Sequence, residues 1–254
     1  MNITDTHCHI DLAVFDADRD SIIKNCLSLG INRLVVPAIA ANSWDNLLNI
    51  TRQYSCLSHA LGLHPVFIRQ HKPSDISSLE QYINQHKPIA VGEIGLDFFI
   101  ENPDREKQKD VFNDQLLLAE QHRLPVILHV RKAHDDVLAL LKSKKITGGS
   151  CHAFNGSLDQ AKRYIDLGFK LGFGGTMTYP NARKIHELAR QLPLESILLE
   201  TDAPDMSGFS HQGSRNQPDF IIDALKALAD IKSMSLQELA MQTTDNAREV
   251  FGFS

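Results

Sequence analysis

Eight short runs rich in β-branched residues recur along the chain, each followed by a longer segment, mostly amphipathic. This alternation limits the fold more than any other property of the sequence. The runs cover residues 3–7, 33–37, 57–62, 89–93, 126–129, 149–152, 169–174 and 197–201, and their length and residue types predict strands. The spacing of apolar residues predicts helices over 19–29 (closed by Gly30), 104–122, 133–142, 158–167 (closed by Gly168), 182–192 and 218–229, with a small helical region at the end. Strands joined by helical crossovers give a parallel sheet, either open and doubly wound or closed into a (β/α)8 TIM barrel. An open sheet places its ligand at a glycine-rich first turn. The first turn here reads THCHIDL, without glycine, and 254 residues is a usual size for eight units. The expected fold is therefore α/β, a (β/α)8 barrel forming a single domain over residues 1–254.

Composition removes several function classes. A hydrophobic share of 43% and a charged share of 22% belong to a globular chain rather than a disordered one. No apolar run approaches the ~20 residues of a spanning helix. A net charge of −5 argues against a protein that coats nucleic acid non-specifically, while leaving room for a local phosphate site. Cys8, Cys26, Cys56 and Cys151 follow no disulfide or metal spacing and read as free thiols in a reducing compartment. With no basic segment leading into an apolar core at the start, the expectation is a cytoplasmic protein without a membrane or an obligate protein partner.

The histidines and carboxylates fall at informative places. His7 and His9 end the first run, Glu93 the fourth, His129 the fifth and His152 the sixth, and Asp202 follows the eighth. In a closed barrel these strand ends converge on one mouth, where barrel active sites lie. His7 and His9, two residues apart, share one strand face, and Cys8 points the other way. Imidazoles mixed with carboxylates suit Zn²⁺, Mn²⁺ or similar ions. Any one such residue is commonly a cap or a loop hydrogen bond. Their coincidence at five strand ends points to a shared role.

The segments TDTHCHID, GLHP, VGEIGLD, PVILHVR, CHAFNG, GFGG and ETDAPD, with a looser RNQP, run in order along nearly the whole chain. In these the sequence resembles the TatD-type metal-dependent hydrolases, often described as deoxyribonucleases, within the amidohydrolase-like barrel superfamily. The resemblance implies two divalent ions (Zn, Mn or Mg), one held by His7, His9 and Asp202, the other by His129 and His152, with Glu93 bridging. A genuine Glu in that place separates the chain from superfamily members that bridge with a carboxylated Lys. Val130 and Lys132 around Arg131, and Ser214 and Gln217 in the late motif, depart from residues common in the family, on the substrate side rather than among the ligands.

Two ions sharing a water lower its pKa and neutralise an anionic leaving oxygen. The expected catalytic carboxylates are Asp202, as ligand and proton acceptor, and Glu93. Arg131 is expected to fork onto a phosphate, with His64, Arg215 and Asn216 as further substrate contacts and Tyr179 as a base-stacking group. Glu200 is expected on the inward face of the eighth strand as an orienting acid. Trp44, inside a helical pattern, reads as packing. The expected activity is hydrolysis of phosphodiesters in DNA, near a strand end or a lesion, with DNA or a small phosphodiester as partner. The rival is hydrolysis of a small ester, lactone or cyclic amide at the same metals.

Overall fold

The structure, a computed structural model, describes residues 1–253. Among them the strands are β1 (Ile3–Asp5), β2 (Ile31–Pro37), β3 (Leu57–Ala60), β4 (Val91–Asp97), β5 (Val126–Arg131), β6 (Gly149–Cys151), β7 (Phe169–Phe173) and β8 (Ile197–Leu199). They alternate with α1 (Arg19–Ser28), α2 (Trp44–Thr51), α3 (Ser74–His86), α4 (Arg105–His122), α5 (His134–Leu141), α6 (Leu158–Asp166), α7 (Arg183–Gln191) and α8 (Ile221–Lys232), and α9 (Leu236–Phe251) follows. β1 to β3 form one parallel ladder and β4 to β8 another. Backbone hydrogen bonds close both seams. Leu61 N donates to Ala90 O (3.3 Å) and Gly92 N to Leu61 O (2.9 Å) at one; Thr6 N donates to Leu199 O (3.0 Å) and Asp202 N to His7 O (2.8 Å) at the other. The result is the expected TIM barrel.

The two-residue period of the strands sorts their side chains. On β5, Val126, Leu128 and Val130 pack in the large apolar layer shared with the helices. Ile127 joins Val35, Ala60, Ala90 and Leu198 in a separate cluster, to which α9 adds Ala247 and Phe251. This second cluster forms a floor below the mouth, because Ile127, His129 and Arg131 climb the same face of β5. α9 is anchored under the barrel by Asn246, whose Nδ2 donates to Leu194 O (2.7 Å) and Ile197 O (2.8 Å). Each fully buried Val, Leu or Ile is worth ~1.5–3 kcal/mol. The fold can therefore rest on its apolar layers.

Element ends shift by up to about three residues, so that β5 runs past His129 to Arg131, and three larger differences stand out. α3 was absent from the expected helices, and α2 was anticipated only as the helical pattern around Trp44. α3 reads SDISSLEQYINQH, and only Leu79 and Ile83 are buried, a narrow stripe among polar residues that gains its order from the barrel wall. The terminal helix is not small: α9 runs 16 residues. Finally, Glu93 does not end β4. The strand continues to Asp97, with a register shift against β5 between Val91 and Ile94. Such irregularities re-aim side chains, and here Glu93 sits within it. Gly95 (φ 142°) permits the close approach, since a Cβ there would lie 2.1 Å from His129 O.

Candidate metal centre

His7 and His9 leave β1, Glu93 comes from the irregular stretch of β4, His129 from β5, His152 from just after β6, and Asp202 from beyond β8. Asp202 adopts a left-handed backbone (φ 57°), uncommon for a non-glycine residue and typical of functional positions held by their surroundings. These side chains meet at the mouth. Glu93 divides them through its two oxygens. Oε2 lies 3.1 Å from His7 Nε2 and 3.5 Å from His9 Nε2, and Asp202 Oδ1 lies 3.5 and 3.8 Å from the same two nitrogens. Oε1 lies 2.9 Å from both His129 Nδ1 and His152 Nε2, and 3.0 Å from His64 Nε2.

Partners on the far sides of the rings fix their protons. His9 Nδ1 donates to Pro37 O (3.2 Å), which leaves its Nε2 lone pair facing the mouth. His129 Nε2 donates to Asp97 Oδ2 (2.9 Å), leaving the Nδ1 lone pair. His7 Nε2 and His9 Nε2 face each other at 3.3 Å, and His129 Nδ1 and His152 Nε2 at 3.2 Å. Lone pairs that close repel unless a cation or a proton lies between them. Two ligands on a tetrahedral zinc with ~2.0–2.1 Å bonds stand ~3.3–3.4 Å apart. His7 Nδ1, Glu93 Oε2 and His152 Nδ1 are also buried without a hydrogen-bond partner. The donor set therefore fits divalent metal. His64 is close enough to join it, but its Nδ1 accepts from Val66 N (3.1 Å). Its proton is thus on Nε2, and the ring donates to Glu93 rather than offering a lone pair.

Burial sets the charge states of the metal-free protein. It holds His64 down to about 4, so that ring is neutral. Burial also opposes charge on His9 and His152, but the adjacent Glu93 carboxylate outweighs it and carries them up to about 9 and about 10. Burial raises Asp202 as well, and lifts Asp5 to about 7 and Glu200 to about 8.

Three buried acids support these residues. Glu200 faces inward, as expected: its Oε1 accepts from Ala153 N (2.5 Å) and lies 3.8 Å from His152 Nδ1. Asp5 and Asp97 were not singled out from the sequence. Asp5 Oδ1 accepts from His7 N and Thr201 N (both 3.1 Å), and Oδ2 accepts from Thr201 Oγ1 (2.6 Å), so one carboxylate ties together the two chain segments that carry His7 and Asp202. A signal existed for both acids. Asp5 lies two residues before His7, and Asp97 lies four after Glu93, on the same strand face.

Above the acids opens a cavity of about 550 Å³, walled by Leu12, Ile39, Val66, Phe67, Ile185 and Met206 among others. Arg131 is its only lining Lys or Arg among the described residues, and its guanidinium lies over the Phe99 ring at 3.9 Å. His64 also lines it. Three expected substrate contacts do not. Arg215 grips Asp18 with both terminal nitrogens (2.6 and 3.1 Å), donates to Val14 O and covers Phe15, bolting the first loop to the last. Asn216 is buried, and its Nδ2 donates to Thr201 O and Asp205 O (both 2.7 Å). Tyr179 donates its hydroxyl to Ser207 O and meets Phe209 edge-on. Each is engaged by a loop whose course strand periodicity does not encode. Trp44 is packing, as expected, with Nε1 donating to Gly62 O (3.1 Å).

The sequence model of the TatD related DNase family matches residues 4–252. The chain belongs to the TatD family. It is 38% identical over 250 residues to the Escherichia coli metal-dependent hydrolase YjjV, covering 97% of this chain and 96% of that one. It is 37% identical to a Haemophilus influenzae metal-dependent hydrolase, covering 99% and 100%. The crystal structure of YjjV superposes with a TM-score of 0.95 over 99% of this chain and 98% of that one, at 37% identity. The chain is accordingly a metal-dependent hydrolase of the TatD family. A more distant likeness, to a Deinococcus radiodurans organophosphorus hydrolase (TM-score 0.68, 12% identity, covering 98% and 93%), extends the barrel fold beyond the family.

Proposed function

We propose that this TatD hydrolase cleaves phosphodiester bonds of DNA near a strand end or a lesion, using two divalent ions. The observation that carries the reading is the division of the donor set by Glu93, whose two oxygens face opposite groups of imidazoles beneath a single rim cation, Arg131. His7, His9 and Asp202 would hold one ion, His129 and His152 the other, and Glu93 both. Four imidazoles favour zinc over magnesium. When bound, the ions supply an activated water and neutralise charge on the leaving oxygen. Asp202 takes a proton from the attacking water at a carboxylate oxygen and returns it to the leaving oxygen as the P–O bond breaks. His64, fixed as an Nε2–H donor, holds Glu93 in place. Arg131 forks onto a phosphate oxygen. A mouth with one cation suits a short or single-stranded end better than duplex, which is tracked by many.

The apolar walls favour a second reading, hydrolysis of a small ester, lactone or cyclic amide at the same ions. Arg131→Ala separates the two. On a DNA end the variant should lose ~10- to 100-fold in kcat/KM, the loss of a charge-assisted pair worth roughly 1.5–3 kcal/mol. On a neutral ester the loss should be slight, and Lys132→Ala should stay near wild type on both. Equal losses on the two substrates, or none on DNA, would overturn the phosphodiesterase reading.

A further inference from the structure

We infer that Asp97 is a positioning residue that fixes the proton of His129 on Nε2, so that the Nδ1 lone pair of that ring is turned into the metal centre. The inference rests on the two-ion reading above for its consequence, but its local geometry stands alone.

Asp97 is 1% exposed and cannot rotate. Its backbone is clamped by Gln108, whose Oε1 accepts from Asp97 N (2.8 Å) and whose Nε2 donates to Asp97 O (2.9 Å). Its Oδ1 accepts two backbone protons, from Phe99 N (2.8 Å) and Ile100 N (3.3 Å). Only Oδ2 remains for His129 Nε2, at 2.9 Å. A carboxylate oxygen accepts and never donates, so a proton on Nε2 is held by Asp97. Glu93 Oε1, the acceptor beside Nδ1, is already shared by His64 Nε2 (3.0 Å) and His152 Nε2 (2.9 Å), so the single proton of the neutral ring stays on the Asp97 side. His129 Nδ1 is then the nitrogen that faces Glu93 Oε1 and His152 Nε2.

The arrangement makes the conservative substitution the more damaging one. In Asp97→Asn the two backbone donors keep the amide oxygen at the Oδ1 position, because the opposite orientation sets the NH2 group against two N–H groups. The NH2 group therefore takes the Oδ2 position and donates to His129 Nε2. The ring must answer with a lone pair there, and its proton moves to Nδ1, where Glu93 Oε1 accepts it. The lone pair facing the centre is gone. The same substitution traps the wrong histidine tautomer in a Ser-His-Asp triad. Asp97→Ala presents no donor and leaves the ring free to keep its tautomer.

The experiment uses the full chain with ¹⁵N-labelled histidine. Nitrogen chemical shifts are read from the metal-free protein at a pH high enough that the ring is neutral, with His129→Gln to assign the resonance. Zinc affinity is read by chelator competition. The expected results are an Nε2–H ring in wild type, an Nδ1–H ring in Asp97→Asn, and a ~10- to 100-fold weaker second zinc in Asp97→Asn, with a smaller loss in Asp97→Ala. An Nε2–H ring in Asp97→Asn, or a larger zinc loss in Asp97→Ala than in Asp97→Asn, overturns the inference; a merely structural role gives the second pattern. A tautomer switch with both zinc ions still bound as tightly leaves Asp97 as the proton setter and instead overturns the two-ion reading at His129.

Discussion

Replacing Gly172 with alanine should destabilise the barrel, and removing Glu200 should cure much of the damage. Gly172 lies on β7 opposite the Glu200 carboxyl. A Cβ at 172 would stand 2.0 Å from Glu200 Oε2, 2.5 Å from Cδ and 2.9 Å from Oε1, and its three nearest neighbours all belong to that one side chain. The carboxyl has nowhere easy to go. It is 2% exposed, its Oε1 is held by Ala153 N, and Gly174 lies against the Glu200 backbone. Overpacking of this kind costs ~1–3 kcal/mol, roughly 2–4 °C of Tm per kcal/mol for a chain of this size. Glu200→Ala alone should also destabilise, because Ala153 N loses its acceptor, at ~1–3 kcal/mol, and a cavity opens. In the double variant the new methyl enters the vacated space and the clash disappears. Urea unfolding of the four metal-free proteins should give a favourable interaction energy of ~1–3 kcal/mol. Additivity within ~0.5 kcal/mol would refute the reasoning, since residues in contact are expected to couple.

In the metal-free protein, burial holds Glu200 up to about 8 against an ordinary 4.5, so the folded state keeps a proton that the unfolded chain releases. Stability should therefore fall as pH rises from about 4.5 to about 8, then level off, and Glu200→Gln should remove that part of the slope; an unchanged slope sinks the assignment. His7→Ala and Asp202→Asn should each abolish hydrolysis and reduce the zinc-induced rise in Tm while leaving cooperative unfolding of the metal-free protein intact, because the apolar layers carry the fold. Loss of cooperative unfolding in both would give these residues a structural role.

The barrel and the meeting of His7, His9, Glu93, His129, His152 and Asp202 at its mouth were legible from the sequence for a single physical reason. Parallel strands in a closed ring send all their C-terminal ends the same way, and a period of two decides which neighbours share a face. A residue's place along its strand is then nearly its place in space. That logic stops where the strand does. Arg215 opens the RNQP motif, yet it reaches Asp18 and Phe15 across the last seam rather than the cavity. Asn216 spends both amide hydrogens on loop carbonyls. Neither outcome has a periodic signal, because a loop's course follows from which backbone groups still need partners once the barrel has closed.

The same limit applied to protons and to marginal elements. The sequence placed a histidine at 64 and at 129, but only the neighbours Val66 N and Asp97 Oδ2 decide that the first ring donates to Glu93 and the second turns a lone pair into the metal centre. Glu93 itself reads as a strand end in one dimension and lies in mid-strand in three, because the register shift that re-aims it is a property of the β4–β5 pair. α3, with two buried side chains, is ordered by the wall it covers rather than by its own pattern. Local composition determined which residues face the mouth from each strand; tertiary contact decided which loop residues reach it, and which atom of each ring carries the hydrogen.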